Sequence, residues 1–186
     1  MGKYTIADPE YRITLEDIEK AIKTNTKKVW VNALIICLYY YGLRISEALA
    51  LAPRDFKLYT HKKSGRKYLQ IRSSTLKNRN NKHRTLYVPT DQPFIEDLYN
   101  YAKASHSPRV FEYSRQWARV QIQLLMPQVS PHVFRHNILN DLAQSGLNEF
   151  SLESFAGWSD ARPAKNYVQK VNARETADKY YPAVQP

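Results

Sequence analysis

Cysteine is almost absent from this chain. Cys37 is the only one, so no internal disulfide can form. Its place in the apolar run VNALIICLYYYG fits a buried core thiol in a reducing, cytoplasmic setting. Acidic residues are scarce as well. The 186 residues hold 17 Asp and Glu against 28 Lys and Arg, a net charge of +11 that favours a polyanionic partner, nucleic acid ahead of an anionic membrane surface. Long apolar runs are missing: Ala33 to Tyr41 is the longest, whereas a bilayer demands about 20 residues. The opening MGKYTIADPEYRIT lacks the apolar region of a signal peptide, and Ile6 stands where an N-myristoylation signal carries Ser or Thr. There is no G-x-S-x-G, no P-loop and no acidic cluster for two metals, which argues against serine hydrolases, P-loop NTPases and two-metal nucleases. With no repeat or low-complexity linker either, the chain reads as one domain large enough to bury a substantial core.

The elements that are present come mostly as helices. ITLEDIEKAIKT opens with Thr14 as N-cap and Asp17 three residues later, a capping-box pattern. A mostly apolar helix is predicted from Lys28 to Tyr40, ended by Gly42 in a left-handed turn, and RISEALALA forms another, stopped by Pro53. KYLQIRS (67–73) and RTLYV (84–88) alternate and read as strands around the polar, cationic turn STLKNRNNKH. DQPFIEDLYNYAKAS and SRQWARVQIQLLM read as helices. A further helix begins at Ser130 with Pro131 in its first position and ends at Gly146. SLESFAGW is a short helix closed by Gly157, and another short helix follows that includes Tyr167. The expected fold is mainly α with one small antiparallel β-sheet.

The helix opening SPHVFRHNILNDLAQSGL places His132, Arg135 and His136 in its first turns, where the helix dipole disfavours positive charge. An incoming anion, which the first-turn N–H groups also favour, resolves the conflict. Arg44 poses the same question, because its neighbours Leu43, Ile45, Ala48 and Leu49 are apolar and a guanidinium is costly to bury unpaired. It is either an ion-pair partner of Glu47, three residues on, or a bidentate clamp for a phosphate. Two arginines and an imidazole suit a phosphoryl centre that gains negative charge in its transition state. His132 and His136 at i, i+4 also match zinc-ligand spacing, but Arg135 between them repels a cation and no third ligand stands out. His136 reads instead as a buried, satisfied histidine. Lys77, Arg79, Lys82 and Arg84 form a basic loop for nonspecific DNA contact, from which one lysine is a candidate general acid.

Together these segments resemble the tyrosine recombinases, the phage-type integrases. YYYGLRISEALAL resembles the family's first box, with Arg44 as its arginine and Glu47 as the acidic residue that supports it. TLKNRNNKHRTLYVP resembles its β-hairpin, with Lys77 at the catalytic lysine and a turn longer than usual. SPHVFRHNILNDLAQSGL carries His132 and Arg135 at H-x-x-R. FAGWSDARPAKNYV resembles the last box, with Trp158 where most members have His, and Tyr167 at the nucleophile's spacing. Asn137 departs from the usual Thr. Trp158 can donate a hydrogen bond but cannot act as acid or base.

The resemblance implies a catalytic domain over residues 1–171, a tail over 172–186 that docks on a neighbouring subunit, and no N-terminal DNA-binding domain. It implies that Tyr167 attacks a DNA phosphate to give a 3′-phosphotyrosyl link. Arg44, Arg135 and Trp158 would hold nonbridging oxygens, His132 would move the phenolic proton, and Lys77 would protonate the leaving oxygen. No cofactor is implied. The partners implied are double-stranded DNA, with Arg79, Lys82 and Arg84 contacting it, and further copies of the chain in a tetramer. Two other readings share the fold: a DNA-binding module without catalysis, and a type IB topoisomerase-like enzyme.

Overall fold

The computed structural model describes residues 12–74 and 83–168. They fall into two compact units, divided at Ile138 within one helix. Among the described residues the first unit holds five α-helices, a three-stranded sheet and the start of a sixth helix.

Helix α1 (Leu15–Thr24) starts at the predicted capping box. The Thr14 N–H donates to Asp17 Oδ2 at 2.8 Å, and Thr14 Oγ1 accepts from the Asp17 N–H at 3.2 Å. Helix α2 (Val29–Tyr41) is apolar almost all round and accordingly mostly buried, with Val31, Leu34, Ile35, Cys37, Leu38 and Tyr41 sealed from solvent. It touches α1, α3, α4, α5 and the sheet, which makes it the axis of the core. Burial pushes the Cys37 thiol far above its usual pKa, as befits an inert core residue. Gly42 closes α2 at φ 56°, and its N–H donates to the Leu38 carbonyl. Arg44 is then the N-cap of the short helix α3 (Ile45–Leu49), and a 3-10 turn (Pro53–Asp55) follows.

The sheet runs β1 (Phe56–Thr60), β2 (Lys67–Ser74), β3 (His83–Pro89), antiparallel in that order. β2 and β3 match the two predicted strands. β1 was not predicted from FKLYT, because only Phe56 of the five is buried and the alternation that marks a half-buried strand is missing. It is an edge strand, held by pairing Phe56 with Ile71 and Leu58 with Leu69. Register places Leu69, Ile71, Ser73, Arg84, Leu86 and Val88 on the inner face. The Tyr41 hydroxyl donates to the Leu69 carbonyl at 2.9 Å and ties α2 to that face.

Helix α4 (Ile95–Ala104) and helix α5 (Arg115–Leu125, capped by Ser114) complete the walls. Helix α6 (Pro131–Gln144) begins at the predicted proline. Asn137, on its inner side, accepts from the Ile13 N–H at 3.2 Å and donates to the Ile13 carbonyl at 3.1 Å, which moors the entry to α1. The amide uses its oxygen for the one bond and its nitrogen for the other. Asn137→Ala should cost about 2–3 kcal/mol in urea unfolding, since both buried backbone groups of Ile13 lose their partner.

The second unit contains the end of α6, helix α7 (Glu149–Ala156) and a helical segment over 162–168. Gly157, at φ 61°, ends α7 in a Schellman turn, with the Trp158 N–H donating to the Glu153 carbonyl at 3.1 Å. Among the described residues no helix is long and apolar enough to cross a membrane.

Candidate active site

Three guanidiniums, from the cap of α3, from β3 and from α6, meet at the buried carboxylate of Glu47. Glu47, in the first turn of α3, reaches back to the cap. Its Oε2 accepts from the Arg44 N–H at 2.9 Å, and its Oε1 accepts from Arg44 Nη1 at 2.7 Å. Arg84, at the start of β3, donates from Nη2 to Oε2 at 2.8 Å. Arg135, in α6, has Nη1 4.0 Å from the same oxygen and donates that nitrogen to the Gly42 carbonyl at 2.9 Å. Their side chains are 22 % exposed for Arg44, 7 % for Arg84, 4 % for Arg135 and 1 % for Glu47, so only Arg44 reaches solvent to any extent.

The two sequence readings of Arg44 are thus compatible. It is the ion-pair partner of Glu47, and it stands beside Arg135 as the more accessible of two guanidiniums at one place. Among the described residues three guanidiniums face one carboxylate, a formal excess of two positive charges in a largely desolvated setting. Such an excess disfavours the site when empty and favours an anion there.

Arg84 needs correction. It was expected in a solvated basic loop contacting DNA; instead it lies on the inner face of β3, paired in register with Ser73 and bonded to Glu47. Its Nε and Nη1 are buried without a hydrogen-bond partner among the described residues. Leaving a buried donor unmade costs about 1–3 kcal/mol. Burial is the largest influence on this guanidinium and lowers its pKa; Glu47 raises it and Arg44 lowers it further. The signal that would have found it is parity. In RTLYV, Arg84 shares its face with Leu86 and Val88, both buried.

His132 is exposed one helical turn before Arg135, and its ring meets that of His136 edge-on, with centroids 4.7 Å apart. His136 is exposed too, not buried as its sequence context implied, because the inner face of α6 is taken by Phe134, Arg135 and Asn137. Lys77, Arg79 and Lys82, and the tail over 172–186, lie outside the described residues.

In the second unit, Trp158 and Tyr167 come together. Their rings stack at 5.8 Å between centroids and 26° between planes. Tyr167 is half-buried on the helical segment, and the Schellman turn at Gly157 fixes the backbone of Trp158.

Several solved structures share this architecture. The XerH site-specific recombinase bound to palindromic difH substrate matches with a TM-score of 0.70 at 16 % identity, over 96 % of this chain and 56 % of that one. The catalytic domain of bacteriophage HP1 integrase matches at 0.63 and 16 % identity, over 92 % of this chain and 94 % of the domain. The Tn1549 transposon integrase, in complex with circular intermediate DNA, matches at 0.62 and 15 % identity, over 91 % and 65 %. The chain therefore spans little more than half of XerH but nearly the whole HP1 catalytic domain. No curated protein matches it in sequence. The sequence model of the Phage integrase family matches residues 12–174, which take in every described element, and the protein belongs to that family.

Proposed function

We propose that the chain cuts and rejoins duplex DNA as a site-specific recombinase, by transesterification at Tyr167. The observation that carries this reading is the convergence of Arg44 and Arg135 on the buried Glu47 carboxylate, with Arg44 the more accessible of the two. The phenolic oxygen of Tyr167 bonds to phosphorus, the bond from phosphorus to the 5′ oxygen breaks, and a 3′-phosphotyrosyl link and a 5′-hydroxyl result. One phosphoester replaces another, so the step needs no ATP, and a 5′-hydroxyl from a partner strand reverses it.

Roles follow from chemistry. Arg44 and Arg135 hold the nonbridging oxygens, where charge grows in the transition state. Trp158 adds an indole N–H donor. His132 takes up the phenolic proton, since a free phenol has a pKa of about 10 and is a poor nucleophile at neutral pH. Lys77 gives the departing oxygen its proton. Glu47 orients Arg44. Arg79 and Lys82 contact the duplex beside it. Four copies on two duplexes would exchange strands, with the segment over 172–186 docking between copies. XerH and the Tn1549 integrase were solved on DNA, which supports duplex DNA as the substrate class.

The test is a nicked suicide duplex, from which the cleaved fragment diffuses so that the covalent complex accumulates on a denaturing gel. Trapping in the presence of a chelator is expected. No trapped complex, with duplex binding intact, would leave a DNA-binding module. With a net charge of +11, binding should weaken steeply with salt: if roughly 6–10 phosphates are contacted, about 10³–10⁵-fold between 50 and 200 mM. A flat salt dependence measured by anisotropy would contradict an electrostatic interface.

A further inference from the structure

The buried side chain that the proposed chemistry leaves without a role is Arg84. Its position is expensive: β3 carries it inward, its charge is removed from water, and two of its donors have no partner among the described residues. Apolar groups commonly replace a whole buried ion pair without loss, so the pair of Arg84 with Glu47 is not needed for stability alone. What Arg84 does touch is Glu47 Oε2, the oxygen that also receives the Arg44 N–H.

Glu47 faces a conflict. To orient Arg44 it must approach Nη1 to 2.7 Å, and at that distance its negative charge offsets the positive charge that a phosphate needs. Counted over the described residues, the cluster with Arg44 and Arg135 alone would carry a formal excess of one. With Arg84 it carries two. We propose that Arg84 is a positioning residue that neutralises Glu47 from behind, so that the carboxylate can align Arg44 without cancelling its charge toward the scissile phosphate. Arg84 acts through Glu47 and is not itself a ligand of the phosphate, since its side chain is 7 % exposed where Arg44 is 22 % exposed. The inference rests on the phosphoryl-transfer reading given above.

The experiment is a double-mutant cycle on the whole chain, reading single-turnover cleavage of the suicide duplex and, separately, duplex affinity by anisotropy. R84M should cleave about 30-fold or more slowly while binding duplex within about threefold of the parent, because the loss lies in the transition state. R84K, which keeps the charge, should recover most of that rate. In the E47Q background, where no carboxylate charge remains to offset, adding R84M should change the rate by less than about threefold. If R84M alone does not fold, the comparison of E47Q with E47Q/R84M decides, since neither retains a carboxylate in want of a partner. Cleavage by R84M at the parental rate, a folded R84K as slow as R84M, or a further tenfold loss in the E47Q background would each overturn the proposal. A parent chain that traps no DNA at all would instead remove the phosphoryl-transfer reading, and this inference with it.

Discussion

Tyr167→Phe should abolish covalent trapping, by roughly 10⁴-fold or more, as loss of a sole nucleophile does elsewhere. The substitution removes one oxygen and keeps the ring. The stack with Trp158, 26° from parallel, does not depend on the hydroxyl, so melting temperature and duplex affinity should stay near those of the parent. That separation makes the result readable: rate gone, fold and binding kept. A Phe variant that still traps DNA would place the nucleophile on another residue. The 14 tyrosines of the chain make that control necessary, since exposed hydroxyls such as those of Tyr59 and Tyr87 are available to a phosphate by chance.

Arg44→Ala and Arg135→Ala should each slow cleavage by about 10²–10³-fold, the range for losing one preorganised donor to a developing oxyanion. Their effects on stability should differ. Arg135 is deeply buried and donates to the Gly42 carbonyl, so its removal strands a backbone acceptor and opens a void, at about 2–4 kcal/mol in urea unfolding. Arg44 is partly solvated, and when it is cut back Glu47 keeps Arg84, so the cost should be only about 1 kcal/mol. Equal losses of stability in the two variants would mean that the asymmetric burial has been misjudged. Lysine at 135 should not rescue cleavage, because one ammonium cannot reproduce the planar fork that serves both Gly42 and an anion.

The parts of this molecule legible in its sequence are those fixed by short-range rules. The Thr14 cap, the Gly42 and Gly157 terminators and the Arg44–Glu47 pair all depend on residues within a few positions of one another. Arg84 was misread because its environment is set by strand register against Ser73, and a polar turn next to it made a solvated role look natural. Its alternation with Leu86 and Val88 held the answer. Strand β1 was missed for the opposite reason. FKLYT has no internal pattern strong enough to declare a strand, and only the partner β2 makes it one. His136 shows a third limit. Its place on α6 depends on which side of the helix the core occupies, and the four buried or half-buried neighbours from Val133 to Asn137 leave it outside.

Gly42 links these observations. A residue without a side chain, twisted to φ 56°, decides where its carbonyl oxygen points, and that oxygen is what Arg135 grips from 93 positions away. A β-branched replacement such as Gly42→Val would have to abandon that torsion, and the oxygen would swing off its bearing. Loss of the proposed cleavage could then arise from a position that bears no functional group, and it would look like a lost arginine in every assay that counts cut strands.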